Sequence, residues 1–367
     1  MASHKLWTAI KVFNTDLFLK APVSSASKLS PPTTAAALID DPSIDAVYIP
    51  LPNGLHYEWA LKALAKGKHV LLEKPSVSNA AEAEALFHTP LLNQPQAPVL
   101  LEAFHYRFHP AWRYFLSLID PANVSHARST AFAPGIIFSK DDIRFQYDLA
   151  GGAMMDLGTY PMSTLRGIFG DAPEECLECT AKKCPPPNER CDASFSAKFR
   201  FPNGGVGEVE GDLTTPLLKF GLGRVAVKHK EVLVDDPALP EGQEKAHVRT
   251  VTLVNFMIPT LWHRIDIEDE WVVRKTEGGA VVKRWQTKEA KKVYTFREGG
   301  DDKPGEAWWL TYRYQLEEFV NRIRGRQGSG AWVDAEDSVV QMRMIDTAYL
   351  KAGLPLRPTS KYLTEQS

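Results

Sequence analysis

The sequence predicts an α/β unit on a short parallel sheet, followed by an α+β unit with a large, mainly antiparallel open sheet. Three observations predict it. Between residues 46 and 101, strand-like apolar runs alternate with helical faces over short connections, the pattern of βαβ units. After about residue 125 the apolar period drops to two, as in strands with one solvated face. Near the carboxyl end Leu316, Phe319, Val320 and Ile323 return to helical spacing. A length of 367 residues suits about two domains.

Residues 1–35 are rich in Ser, Thr, Pro and Ala after a short apolar opening, and read as a lead-in. Ala46-Val47-Tyr48-Ile49 reads as a buried strand. Tyr57, Ala60, Leu61 and Leu64 then form one helical face, which Gly67 stops. His69 to Leu72 is a second strand. Asn79 with Glu82 has the spacing of a capping box, opening a helix to about Phe87, and Val99 to Leu101 is a third strand. Further on, Phe195, Ala197, Phe199 and Phe201 alternate with polar residues, and Pro202-Asn203-Gly204-Gly205 reads as a hairpin before Val206 to Glu210. Runs at 224–228, 248–257, 264–273 and 279–285 extend the sheet. The units therefore fall at 1–35 (lead-in), 36–125 (parallel sheet), 126–350 (open sheet) and 351–367 (tail).

Forty-three Lys and Arg against 45 Asp and Glu give a net charge of -2, which argues against a general grip on nucleic acid or an anionic membrane. No apolar run of about 18 residues is free of charge, so no transmembrane helix is expected. Lys11 breaks the only early apolar run, Leu6 to Phe13, and the first Arg is Arg107, so signal and mitochondrial leaders are not expected. Four cysteines do not make a disulfide framework, and a cytoplasmic protein is expected.

Three segments carry candidate chemistry. Pro50-Leu51-Pro52-Asn53-Gly54-Leu55-His56 follows the first strand and Glu73-Lys74-Pro75 follows the second. Loops at the carboxyl ends of parallel strands are where open α/β sheets bind ligands, so both point to one crevice. In Gly151-Gly152-Ala153-Met154-Met155-Asp156-Leu157-Gly158-Thr159-Tyr160, an α-helix from about residue 152 would set Asp156 and Tyr160 one turn apart on one face. Taken singly, each segment is an ordinary strand end, turn or surface pair. Their joint order is not.

In that order, and with Glu102-Ala103-Phe104-His105-Tyr106-Arg107-Phe108-His109-Pro110 and the late Tyr312-Arg313-Tyr314-Gln315-Leu316 helix, the chain resembles the glucose-fructose oxidoreductase / inositol dehydrogenase (Gfo/Idh/MocA) family over roughly residues 37–360. The resemblance implies an incomplete Rossmann-like sheet, NADP or NAD as cofactor, a sugar or dihydrodiol substrate and a homodimer. The branch it implies is that of dihydrodiol and D-xylose 1-dehydrogenases. It implies Lys74, Asp156 and Tyr160 as catalytic, with Pro50, Asn53, His56, Glu73, Lys74 and Arg107 on the cofactor. Removing hydride from a hydroxyl requires a base, and tyrosine near pKa 10 is a poor one. A nearby lysine ammonium would lower that pKa.

Gly54 is the first glycine in the chain, so no glycine turn for a pyrophosphate precedes it. Two readings follow: an incomplete form of a longer parent, or a member that lost classical cofactor binding and serves as a non-redox enzyme or binding scaffold. Either residues 5–20 cover the free edge of the Ala46–Ile49 strand or the protein is expected to be poorly soluble. Cys176, Cys179, Cys184 and Cys191 suggest a metal only superficially, since a strand over 174–180 would put Cys176 and Cys179 on opposite faces. No metal is expected. Trp308, Trp309, Tyr312 and Tyr314 read as core or subunit interface in preference to a sugar platform, and His105 as structural or, failing Tyr160, as the base.

Overall fold

The computed structural model describes residues 35–139 and 141–365. The lead-in, and with it the expected cover over β1, lies outside the described residues. After the short helix α1 (Ala35–Asp40), strands β1 (Ala46–Ile49), β2 (His69–Leu72) and β3 (Leu100–Glu102) form a parallel sheet in the order β1-β2-β3. Their side chains are apolar and buried along nearly their whole length, as in a parallel sheet covered on both faces. Helix α2 (His56–Ala65) joins β1 to β2, burying Tyr57, Ala60 and Leu64, and Gly67 at φ 71° ends it in the left-handed region.

Helix α3 (Ala80–Phe87) joins β2 to β3, and Asn79 accepts from the Glu82 amide at 3.1 Å. The Glu82 carboxylate does not return to Asn79. It is fully buried and accepts from the amides of Ser78 and Ser360, which holds the segment at Ser360 against this helix. After α4 (Pro110–Ser117) the chain enters the larger sheet.

That sheet has nine strands: β4 (Val124–Pro134), β5 (Glu175–Lys183), β6 (Asp192–Arg200), β7 (Val206–Thr215), β8 (Arg224–His229), β9 (Val232–Val234), β10 (Gln243–Val254), β11 (Arg264–Lys275) and β12 (Val281–Lys291). Their order is β12-β11-β10-β8-β4-β7-β6-β5, with β9 beside β10. Only β4 and β7 pair in parallel. The inner face is apolar and carries helix α5 (Thr159–Phe169), whose approach is very close. A Cβ on Gly207 would meet Leu165 at 2.6 Å. The outer face is polar, with cross-strand pairs such as Arg128–Glu210 at 2.8 Å and Lys288–Glu268 at 3.3 Å. Helices α6 (Thr311–Ile323), α7 (Ala335–Lys351) and α8 (Lys361–Thr364) close the chain, and the Asp346 carboxylate of α7 accepts from the first amide of α3 at 2.8 Å. No helix among the described residues is long and apolar enough to cross a membrane.

Two expectations are corrected. A bulge between Cys176 and Glu178 shifts the register of β5, so Cys176 faces Phe199 and Cys179 faces Ala197, two residues apart on one strand. Both cysteines therefore lie on the same, inner face, because a bulge resets the alternation that a regular strand would keep. The described residues of the expected tail 351–367, up to 365, are not a simple tail either. Arg357 is buried, and its guanidinium donates to Asp192 Oδ1 at 2.7 Å, to the Gly151 carbonyl and to Tyr349 Oη at 2.8 Å.

Arg357→Met would leave the fully buried Asp192 without its counter-charge. Breaking a buried pair from one side costs about 3–5 kcal/mol. We expect a large loss of melting temperature in thermal denaturation, with Asp192→Asn in the same background recovering part of it.

Candidate active site

The carboxyl ends of β1 and β2 deliver two loops to one place. Backbone pairing carries the ladder one residue past β2, where the Glu73 amide donates to the Ile49 carbonyl at 3.1 Å. Tyr48, the polar residue of an otherwise apolar strand, donates its hydroxyl to Glu73 Oε1. Both groups are half-buried, and loss of water raises the pKa of each above its ordinary range. Lys74 extends from the same loop end.

The opposite wall begins at residues 147–153. Ala150 takes a left-handed conformation (φ 56°), and Asn53 Nδ2 donates to its carbonyl at 3.0 Å, tying the β1 loop to this turn. Gly152 follows at φ 129°. A Cβ there would fall 2.2 Å from Asp192 Oδ1 and 2.3 Å from Arg357 Nη2, so the buried ion pair and the glycine require each other. Asp192 Oδ2 accepts from the Met154 amide at 2.7 Å, which fixes the start of the next helix.

That helix is not the regular α-helix expected from residue 152. Met154–Gly158 forms a π-turn, and α5 continues from Thr159. Pro161 has no N–H to return to Leu157, so an α-type ladder could not run through this point. The wider turn still brings Asp156 and Tyr160 to the same lysine. Lys74 Nζ donates to the Asp156 carbonyl at 2.9 Å and to its carboxylate Oδ1 at 3.1 Å, and lies 4.8 Å from the centroid of the Tyr160 ring. Arg144 Nε donates to Asp156 Oδ2 at 2.8 Å. Burial alone would raise the Asp156 pKa, but Lys74 and Arg144 outweigh it and hold the carboxyl below its ordinary value.

The expectation that Lys74 lowers the Tyr160 pKa is overturned. Burial, then the charges of Glu73 and Asp156, push the phenol well above 10. The ammonium is spent on Asp156 and meets the face of the ring, so the phenol remains protonated. Its hydroxyl instead pairs with His105 Nε2 at 3.0 Å, and His105 Nδ1 pairs with Thr311 Oγ1 at 2.9 Å. Burial, with Lys74 adding to it, lowers His105 to about 3, so the imidazole is neutral.

Lys74, Glu73, Asp156 and Tyr160 thus converge, with Pro50 and Asn53 on the adjoining loop. His56 and Arg107 do not join them. His56 is fully buried, with Nδ1 2.9 Å from the Pro75 carbonyl and Nε2 2.7 Å from that of Leu51, so it braces the two loops from behind. Arg107 pairs with Asp337, which also receives Arg166. Sequence reasoning missed Tyr48, Arg144 and Thr311. Tyr48 carried a weak signal as a hydroxyl inside an apolar strand. Arg144 and Thr311 carried none, because they lie in irregular chain or at a helix start. Of the four late aromatic residues, Tyr314 is in the core as expected, whereas Trp308 is 72% and Tyr312 49% exposed, and Tyr312 stacks on His105 with centroids 4.2 Å apart.

Residues 2–91 match the model of an oxidoreductase family with an NAD-binding Rossmann fold, and residues 122–224 match the GFO/IDH/MocA C-terminal domain. The chain is 37% identical over 189 residues to D-xylose 1-dehydrogenase (NADP(+)) 2 of Haloferax volcanii, covering 50% of this chain and 55% of that protein. It is 39% identical over 134 residues to a dTDP-3,4-didehydro-2,6-dideoxy-alpha-D-glucose 3-reductase of Actinomadura kijaniata, covering 36% and 39%. To the trans-1,2-dihydrobenzene-1,2-diol dehydrogenase of Xenopus tropicalis it is 30% identical over 138 residues, covering 37% and 41%. The matched region spans about half the length of these relatives or less. Among solved structures, aldose-aldose oxidoreductase of Caulobacter crescentus superposes with a TM-score of 0.60 at 18% identity, over 87% of this chain and 80% of that one. Levoglucosan dehydrogenase in complex with NADH gives 0.60 at 21%, over 88% and 82%. At these identities the structural likeness establishes the fold.

Asp156→Asn would leave Lys74 and Arg144 facing a neutral amide. Because the Asp156 pKa is depressed in the folded chain, its stabilisation is present above the unfolded value of about 3.9 and fades as pH falls through the folded one. The melting-temperature gap between wild type and variant should be widest near neutrality and close below about pH 4. A gap independent of pH would contradict the ion-pair assignment.

Proposed function

The chain belongs to the Gfo/Idh/MocA oxidoreductase family, and from that premise we propose that it is a nicotinamide-dependent oxidoreductase acting on a sugar or diol carbon that bears a hydroxyl. The observation that carries this reading is the Lys74–Asp156 contact, which brings the loop after β2 against the helix bearing Tyr160. Loops at the ends of parallel strands, carrying proton-handling side chains, suit the nicotinamide end of NAD or NADP. When bound, that group would accept or supply the hydride.

Pro50, Asn53 and Glu73 would line its nicotinamide side and Lys74 would reach it, while His56 fixes their loops and Arg107 stands one step removed. Tyr160, neutral, donates its proton to a carbonyl oxygen in the reductive direction and recovers it in the oxidative one. Asp156 stays ionised and holds Lys74 in place beside the Tyr160 ring. The sugar and dihydrodiol names of the relatives support the substrate class. The family models and the dehydrogenase relatives favour this reading over a second one, a cofactor-free member acting as a non-redox enzyme or binding scaffold.

Fluorescence titration with NADPH and NADH tests both readings. Binding, followed by turnover with aldoses or dihydrodiols, supports the redox reading, and no binding at millimolar cofactor rejects it. In the active protein, Tyr160→Phe should lower kcat by about 10² to 10⁴-fold. Lys74→Met should cost at least as much, because Asp156 is released. The double variant should lose far less than the product of the two.

We also propose a homodimer through the open face of the nine-stranded sheet, where interspersed charges of both signs offer a self-complementary surface. Cytoplasmic residence accompanies this reading. Light scattering should give about twice 40.9 kDa, and a 40.9 kDa species alone at micromolar concentration would exclude the dimer.

A further inference from the structure

His105 opens the short turn after β3, and Thr311 is the first residue of α6, so two distant segments meet at one imidazole. His105 and Thr311 are both buried, with Thr311 only 3% exposed. Each imidazole nitrogen has one hydroxyl partner, Tyr160 on Nε2 and Thr311 on Nδ1. A neutral imidazole donates from one nitrogen and accepts at the other, so two arrangements are available.

With the proton on Nδ1, the ring donates to Thr311 and Tyr160 donates to Nε2. The Thr311 hydroxyl proton then has no acceptor, since its oxygen makes no other hydrogen bond among the described residues. An orphaned buried donor costs about 1–3 kcal/mol. With the proton on Nε2, Thr311 donates to Nδ1 and the ring donates to the phenol oxygen. The one proton left over is then that of Tyr160, also buried and without a further hydrogen bond among the described residues, but held by the negative charges of Glu73 and Asp156, which act on no proton of Thr311 in the other arrangement. Stacking on Tyr312 at 4.2 Å restrains the ring from turning its nitrogens over.

We propose that Thr311 locks His105 in the Nε2–H tautomer, making His105 a positioning residue that frees the Tyr160 proton for the substrate. The catalytic consequence rests on the function proposed above. In the reductive direction the Tyr160 O–H bond breaks, an O–H bond forms on the substrate oxygen, and the phenolate left behind accepts the hydrogen bond from His105 Nε2–H. The oxidative direction reverses each change. In the opposite tautomer the phenol's only proton would be turned away from the substrate, onto the ring.

The tautomer is read directly from the ¹⁵N resonances of His105 in the histidine-labelled full chain, assigned by their loss in His105→Gln. A protonated Nε2 with an unprotonated Nδ1 is expected, and the reverse overturns the proposal whether or not the protein turns over. Thr311→Val removes the donor and keeps the shape. It should lower kcat about tenfold, the worth of one hydrogen bond, with KM little changed, and Thr311→Ser should restore kcat. An unchanged kcat in Thr311→Val overturns the positioning role. A chain that shows the expected tautomer but neither binds nor turns over a nicotinamide cofactor refutes the proposed function and leaves the tautomer assignment standing.

Discussion

The guanidinium of Arg357 joins three pieces of chain that are far apart in sequence: the segment after α7, the start of β6 through Asp192, and the turn at Gly151. Removing two charges from water costs several kcal/mol for each ion, and only good geometry with every hydrogen bond made offsets it. Asp192 meets that demand by accepting from Arg357 and Tyr349 on one oxygen and from the Met154 amide on the other. The positions of Asp156 and Tyr160 depend on this arrangement, because the helix that carries them starts at Met154. Gly152 is fixed by the same requirement, since any side chain there would occupy the space of the ion pair.

Around Lys74 the environment divides the titratable groups into fixed states. Glu73 and Asp156 are carboxylates a short distance apart with opposite fates. Glu73 is half-buried against Tyr48 and its pKa rises, whereas Asp156 lies between Lys74 and Arg144 and its pKa falls. Carboxylates pushed apart in this way serve different roles. Tyr160 and His105 are both neutral near pH 7, one as the acid form of a weak acid and the other as the base form of a weak base. A neutral phenol with a neutral imidazole behind it is suited to giving up a proton at the moment of reaction and taking it back. A standing phenolate would instead need a positive charge at its oxygen, and Lys74 is directed elsewhere.

The two sheets serve different ends. The parallel sheet is mostly apolar and buried and ends in the loops that carry Asn53 and Lys74. The larger sheet buries one face under α5 and leaves the other polar, with exposed ion pairs that are individually worth little but keep that face wet unless a matching surface covers it.

The sequence by itself determined the architecture and the main components of the site. Period-two and period-3.6 patterns are local, so the three parallel strands, the Asn79 cap, the Phe201–Val206 hairpin and the α6 helix were legible without coordinates. So were Lys74, Asp156 and Tyr160, which stand in recognisable sequence motifs. Tertiary structure alone decided how they are used. The ammonium of Lys74 could not be assigned to Asp156 over the Tyr160 hydroxyl before the π-turn at 154–158 was known. The bulge in β5 reversed the facing of Cys179, and Arg107 was drawn to Asp337. Arg144, Thr311 and Arg357 left no local pattern, because the partner of a charge or hydroxyl in irregular chain is set by whichever group folding buries beside it. Burial and pairing, which fix protonation states, are properties of contacts between segments far apart in the chain, 278 positions for Glu82 and Ser360.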